Sequence, residues 1–167
     1  MISSLVPRSD YPTLEESTYL NQASLGLIGR PAVEAMHEFL DDVAQHGNCF
    51  MSDQDEVAYF ESLRTHAAQF LSSDAGWIAI VGGASELLGQ LPYLLEPESG
   101  SRVLAVSTDF PAVTRPWLRL AERGGCELCF VDDVSTDDLT DTLIDALDER
   151  TSVLAVSQVQ YATGSIL

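Results

Sequence analysis

Arg102-Val-Leu-Ala-Val-Ser-Thr-Asp-Phe-Pro111 begins with an apolar run, crosses three polar residues and ends on an aromatic residue followed by proline. The run is short and shows no polar alternation, which is the pattern of a strand buried on both faces of a parallel sheet. Proline at the end suits the first position of a helix, where a missing N–H costs nothing. The same texture recurs at Trp77-Ile-Ala-Ile-Val81, Cys126-Glu-Leu-Cys-Phe-Val131 and Ser152-Val-Leu-Ala-Val-Ser157. Between these runs lie helical patterns at about 84–95, 113–123 and 137–147, each long enough to cross over between parallel strands. The spacing predicts four strands alternating with helices: an α/β fold, a mostly parallel sheet with helices on both faces.

Upstream the pattern changes. An acidic lead-in to Thr18 and a Gly-punctuated loop make residues 1–30 an N-terminal segment distinct from the layer over 31–167. Pro31 opens a helix running to about His46, with Val33, Met36, Phe39, Leu40 and Val43 at helical spacing, and Gly47-Asn48 ends it. A second helix starts at about Asp53, capped by Ser52 or Asp53, with Val57, Phe60, Leu63, Ala67 and Phe70/Leu71 on one face.

The 167 residues are 46% hydrophobic and 20% charged, which describes a globular chain and rules out collagen and low-complexity readings. Acidic residues number 26 against 8 basic ones, all arginine, for a net charge of −18 with no lysine. Such a field repels phosphate backbones and anionic lipid, so nucleic-acid and membrane-surface binding are disfavoured. The acidity fits either high-salt adaptation or a GC-rich genome that replaces Lys by Arg. Residues 1–8 lack a signal-peptide pattern, and no stretch approaches the ~18 apolar residues of a membrane span. Three cysteines argue against a disulfide framework, and the expectation is a cytoplasmic protein.

Open parallel sheets bind ligands beyond the carboxyl ends of their strands. The first run leads into Gly82-Gly83-Ala84-Ser85-Glu86 and a helix. Glycines let the backbone approach a ligand, the helix start offers unpaired N–H groups, and Ser85 adds a hydroxyl, so the turn can cradle phosphate or can simply be a capped Gly turn. The three-glycine dinucleotide fingerprint and the lysine-bearing nucleotide loop are absent, and Ser85 is not in a nucleophile elbow. At the second strand end, Phe110 can stack on a flat heteroaromatic ring or close the core beneath its loop. At the fourth, Gln158, Gln160 and Tyr161 form a polar rim for a ligand or a solvated loop.

Five pieces occur in order: Tyr19-Leu-Asn-Gln-Ala-Ser-Leu-Gly26, Gly83-Ala-Ser-Glu86, Phe110 through Trp117, Leu120-Ala-Glu-Arg-Gly-Gly125 and Val156-Ser-Gln-Val-Gln-Tyr-Ala-Thr-Gly164. Together they resemble the N-terminal part of the class V aminotransferase family, the fold type I pyridoxal-phosphate enzymes that include cysteine desulfurases, kynureninases and isopenicillin-epimerase-like proteins. The resemblance spans about residues 19–167. It implies that Gly83, Ala84 and Ser85 hold the cofactor phosphate, that Phe110 stacks on the ring, and that Tyr161 or Gln160 meets the phenolic oxygen or substrate. It further implies that Asn21 and Ser24 lie on the substrate side. The Asp109-Phe-Pro wording is nearer the kynureninase and epimerase-like branches.

In this family a lysine holds the cofactor aldehyde as a Schiff base and shuttles the α-proton. That lysine, its neighbouring motifs and the small C-terminal domain lie downstream of the matched pieces. The resemblance therefore implies part of a large cofactor-binding domain, with an amino-acid substrate and a homodimer or complementary half as partners of the complete enzyme. The 167 residues alone are expected to be inactive. The alternative is a non-catalytic α/β interaction or regulatory module derived from the family.

Other clusters have plainer readings. Cys126 and Cys129 fall in a strand, three apart and so on opposite sides, and no second pair completes a metal site. Cys49 stands in a loop without an activating neighbour. His37, His46 and His66 share no ligand spacing. Asp132, Asp133, Asp137 and Asp138 read as a solvated loop, with Asp137 and Asp138 in the first turn of the following helix. Arg115, Arg119 and Arg123 share one helix face and offset the surrounding acid. No metal is expected.

Overall fold

The computed structural model describes residues 6–133 and 138–167. The chain divides into two compact units, Met1–Ile78 and Ala79–Leu167.

The first unit holds a short helix α1 (Thr13–Glu16) and two long ones, α2 (Arg30–His46) and α3 (Asp53–Leu71). Pro31 lies in the first turn of α2, and Gly47 ends the helix at φ 61°, a left-handed value that favours glycine. Ser52 begins α3 with a reciprocal capping box: its hydroxyl accepts from the Asp55 amide, and the Asp55 carboxylate accepts from the Ser52 amide. Both helices fall where the apolar spacing puts them. Their apolar faces nevertheless remain open, with Phe39, Leu40, Val57, Phe60 and Leu63 all exposed.

The second unit is the α/β layer: α4 (Ala84–Leu95), β1 (Arg102–Val106), α5 (Pro111–Glu122), β2 (Glu127–Val131), α6 (Leu139–Ala146) and β3 (Thr151–Ala155). The strands form one parallel sheet in the order β2-β1-β3. β1 is central, and Val103 through Val106 are fully buried, as an unbroken apolar run requires. Alternate residues feed two cores. Leu104, Val106 and Val131 pack with Leu139 and Leu143 of α6, while Val103 packs with Trp117 of α5 and Cys126. Helices therefore cover both faces. Gly124 at φ 76° and Gly125, where a Cβ would lie 2.5 Å from Leu120, make the tight return from α5 to β2.

One expected strand does not form. Residues 75–77 make a single 3-10 turn, and 78–81 run on without a ladder. A strand is a paired object, and neither sheet edge, β2 or β3, takes this segment as its neighbour. The described sheet has three strands rather than four.

The acidic loop also differs from its reading. Asp133 is buried and accepts a hydrogen bond from the Thr108 hydroxyl, joining the ends of β1 and β2. Asp138 is the N-cap of α6, its carboxylate accepting from the Asp141 amide at 3.0 Å, and does not lie in the first turn. Asp137 lies outside the described residues. The cysteines follow the strand geometry: Cys126 joins the core under α5 and Cys129 packs against the opposite one. Burial pushes both thiols up from their ordinary value, so neither is a ready nucleophile. No helix among the described residues is long and apolar enough to cross a membrane.

Candidate functional site at the strand ends

The carboxyl ends of β1 and β3 converge on one side chain to which the sequence assigned no role. Asp109 is 4% exposed. Its Oδ1 accepts from the Phe110 amide at 2.6 Å and the Ser157 hydroxyl at 2.7 Å. Its Oδ2 accepts from the Ser157 amide at 2.7 Å and the Gln160 side-chain NH2 at 3.3 Å. Four donors face the group, two on each oxygen, so its acceptor capacity is well used. Losing it would strand buried donors at about 1–3 kcal/mol each.

Gln160 is 1% exposed and fastened at every polar atom but one. Its NH2 donates to Asp109 and to the Ser157 carbonyl at 2.9 Å, its amide to the Ser165 carbonyl, and its carbonyl accepts from the Gly164 amide. Two acceptors around the nitrogen fix the orientation of the side-chain amide. Oε1 is buried without a partner among the described residues. Beside it, Tyr161 is exposed and meets Phe110 edge to face, ring centroids 5.2 Å apart at 87°. The structure thus brings together Phe110, Gln160 and Tyr161 of the expected residues, and adds Asp109 and Ser157.

The glycine turn leaves backbone donors uncapped. Gly83 precedes α4 with no side-chain cap, and the Ala84 and Ser85 amides have no partner among the described residues. An added Cβ at Gly83 would meet nothing within 4 Å. Glu86 curls back to accept from the Gly82 amide at 3.1 Å, so one donor of the turn is already taken. Among the described residues, no hydrogen bond or ring contact joins this turn to Phe110 or Tyr161. In the first unit, Asn21 and Ser24 share a turn, the Ser24 amide donating to the Asn21 carbonyl at 3.3 Å, and both are exposed.

Two of the three histidines bond within their own helices, His46 to Asp42 at 2.9 Å and His66 to the Ser62 carbonyl at 2.7 Å. Arg119 pairs with Glu122 at 3.4 Å on the exposed face of α5. Among the described residues no three His, Cys, Asp or Glu side chains cluster as metal ligands. An apolar hollow of about 620 Å3 between α2 and α3 is lined by Met36, Phe39, Leu40, Met51, Tyr59 and Phe60 and contains none of the candidate ligand-binding residues.

A parallel sheet covered by helices on both faces defines an α/β protein, a fold in which ligands are met at the carboxyl ends of the strands. Comparison with known proteins narrows the class. The model of the family "Aminotransferase class-V" matches residues 18–167. A probable cysteine desulfurase of Pyrococcus abyssi is 27% identical over 165 residues, covering 95% of this chain and 41% of the relative. A solved cysteine desulfurase from Thermococcus onnurineus NA1, in its apo form, is 26% identical with a TM-score of 0.72, covering 99% of this chain and 43% of the other. A C-DES variant with glycine covalently linked to its PLP cofactor has a TM-score of 0.82 at 21% identity, covering 97% and 43%, and speaks for the fold. The chain belongs to the class V aminotransferase family, and it spans about two fifths of the curated relatives it matches. The Pyrococcus and Thermococcus relatives carry the desulfurase name, not that of the kynureninase or epimerase-like branches expected from the Asp109-Phe-Pro wording.

Proposed function

We propose that this chain is the N-terminal, cofactor-binding part of a pyridoxal-phosphate enzyme that acts on an amino acid. Family membership supports the cofactor, and the residues present fit it without covalent attachment. The free Ala84 and Ser85 amides and the open space at Gly83 suit an anionic phosphate. Phe110 offers a half-exposed ring face, and Tyr161 supplies an exposed hydroxyl near it. Of the two candidates for the ring oxygen, the proposal takes Tyr161, because both hydrogens of the Gln160 amide are already committed. Asn21 and Ser24 are assigned to the substrate side. Residues 31–167 make up the cofactor-binding part of this scheme.

When bound, pyridoxal phosphate withdraws electrons from the α-carbon of an amino acid. The chain's own residues hold the phosphate, seat the ring and exclude water from one of its faces. With no lysine among 167 residues, the anchoring amine and the proton transfer at the α-carbon belong to polypeptide beyond them.

The observation that carries this reading is the Phe110–Tyr161 pair at the carboxyl ends of β1 and β3, where a parallel sheet presents its ligand site. The test is a titration with pyridoxal phosphate followed by its absorbance. Phe110→Ala should weaken binding about three- to tenfold through loss of stacking. Equal affinity in the two proteins would remove Phe110 from the site.

A further inference from the structure

We propose that Asp109 is a positioning residue: its carboxylate gathers donors from the ends of β1 and β3 and so fixes Phe110 and Tyr161 as one aromatic wall for a planar ring. This rests on the reading of Phe110 as the ring seat. Phe110 follows Asp109 directly, and its backbone amide is held by Oδ1 at 2.6 Å, so the carboxylate sets where the ring leaves β1. Tyr161 follows Gln160, whose side chain is held by Oδ2. Between the two, Ser157 is gripped by both its amide and its hydroxyl. The amide of Phe110 and the side chain of the residue before Tyr161 are therefore held by the same buried carboxyl, although 51 positions separate Asp109 from Gln160.

Two features favour positioning over simple core filling. Core filling needs no polar group, yet this carboxyl is buried without an ion-pair partner among the described residues and is satisfied by four hydrogen bonds alone. Both aromatics fixed by it are also exposed, Phe110 at 48% and Tyr161 at 61%, so the rigidity is spent on a surface. Asparagine could not replace the group, because its NH2 would face donors on one side.

The experiment compares the full chain with Asp109→Asn, Ser157→Ala and Phe110→Ala, using pyridoxal phosphate and inorganic phosphate as separate probes and amide and aromatic NMR as a ligand-free readout. Asp109→Asn should weaken pyridoxal phosphate about tenfold. It should leave inorganic phosphate at the Gly83 turn unchanged, remove exchange protection at the Ser157 amide, and erase the ring-current shifts of the Phe110–Tyr161 pair. If Asp109→Asn does not fold, Ser157→Ala, which removes one of the four donors, should show the same selective loss at about threefold. A parallel loss of both probes would mean a general structural role and would overturn the proposal, as would wild-type affinity for pyridoxal phosphate. If Phe110→Ala binds normally, or the wild-type chain binds no pyridoxal phosphate, the ring-seat reading fails. The NMR arm then still decides whether Asp109 holds the pair.

Discussion

Gly83 offers the most direct test at the scale of one residue. Its φ of 175° is extended backbone open to any residue, and nothing opposes a Cβ there. Gly83→Val should therefore fold normally by circular dichroism while its side chain fills the space before the Ala84 and Ser85 amides. The expected result is loss of inorganic phosphate binding by about tenfold or more, measured by calorimetry. Unchanged binding would show that the turn is an ordinary helix start. Asp109 marks the limit of reading single residues. Its position after a strand and before Phe-Pro is visible in the sequence, but its donors Ser157 and Gln160 are 48 and 51 residues away. Only the parallel pairing of β1 with β3 brings them together.

At the scale of elements, the Ser52 cap links structure to pH. The Ser52 hydroxyl, then the Ser52 amide, hold the Asp55 carboxyl below its ordinary value of 3.8. A carboxyl depressed in the folded state contributes stability that is present above pH 3.8 and lost as the pH falls through the folded value. Ser52→Ala should return the Asp55 midpoint towards 3.8 in an NMR titration and lower the thermal midpoint by a few degrees. An unmoved Asp55 midpoint would contradict the capping box. Local signals of this kind made the helices legible: Pro31, Gly47 and Ser52 act within a turn of themselves. β1 was legible because its apolar run is buried on both faces, whereas β3 carries the same run as an edge strand, with Leu154 exposed. Trp77–Val81 carries the same apolar signal, yet a strand needs a hydrogen-bonding neighbour, and composition does not say whether one is within reach. The candidate site divides the same way, the glycine turn and Phe110 being visible locally while the clamp behind Phe110 depends on distant pairing.

At the scale of the whole molecule, exposed apolar surface and charge oppose each other. Phe39, Leu40, Val57, Phe60 and Leu63 leave the faces of α2 and α3 uncovered, and β2 and β3 are sheet edges with Phe130 and Leu154 exposed. Such surfaces associate. The net charge of −18 resists association at low ionic strength. Sedimentation velocity should show species larger than the 18.1 kDa monomer, increasing as salt is raised from about 0.1 to 1 M, where the Debye length falls from about 10 to 3 Å. A single monomer at all salt concentrations would show that these faces are stable in water.

Equilibrium dialysis of the chain against pyridoxal phosphate tests the account most directly. It predicts saturable binding at one site, competed by inorganic phosphate and diminished by both Gly83→Val and Phe110→Ala, with no borohydride-fixed adduct on any side chain, because the 167 residues hold no lysine. Absence of saturable binding, or binding indifferent to both substitutions, would contradict it.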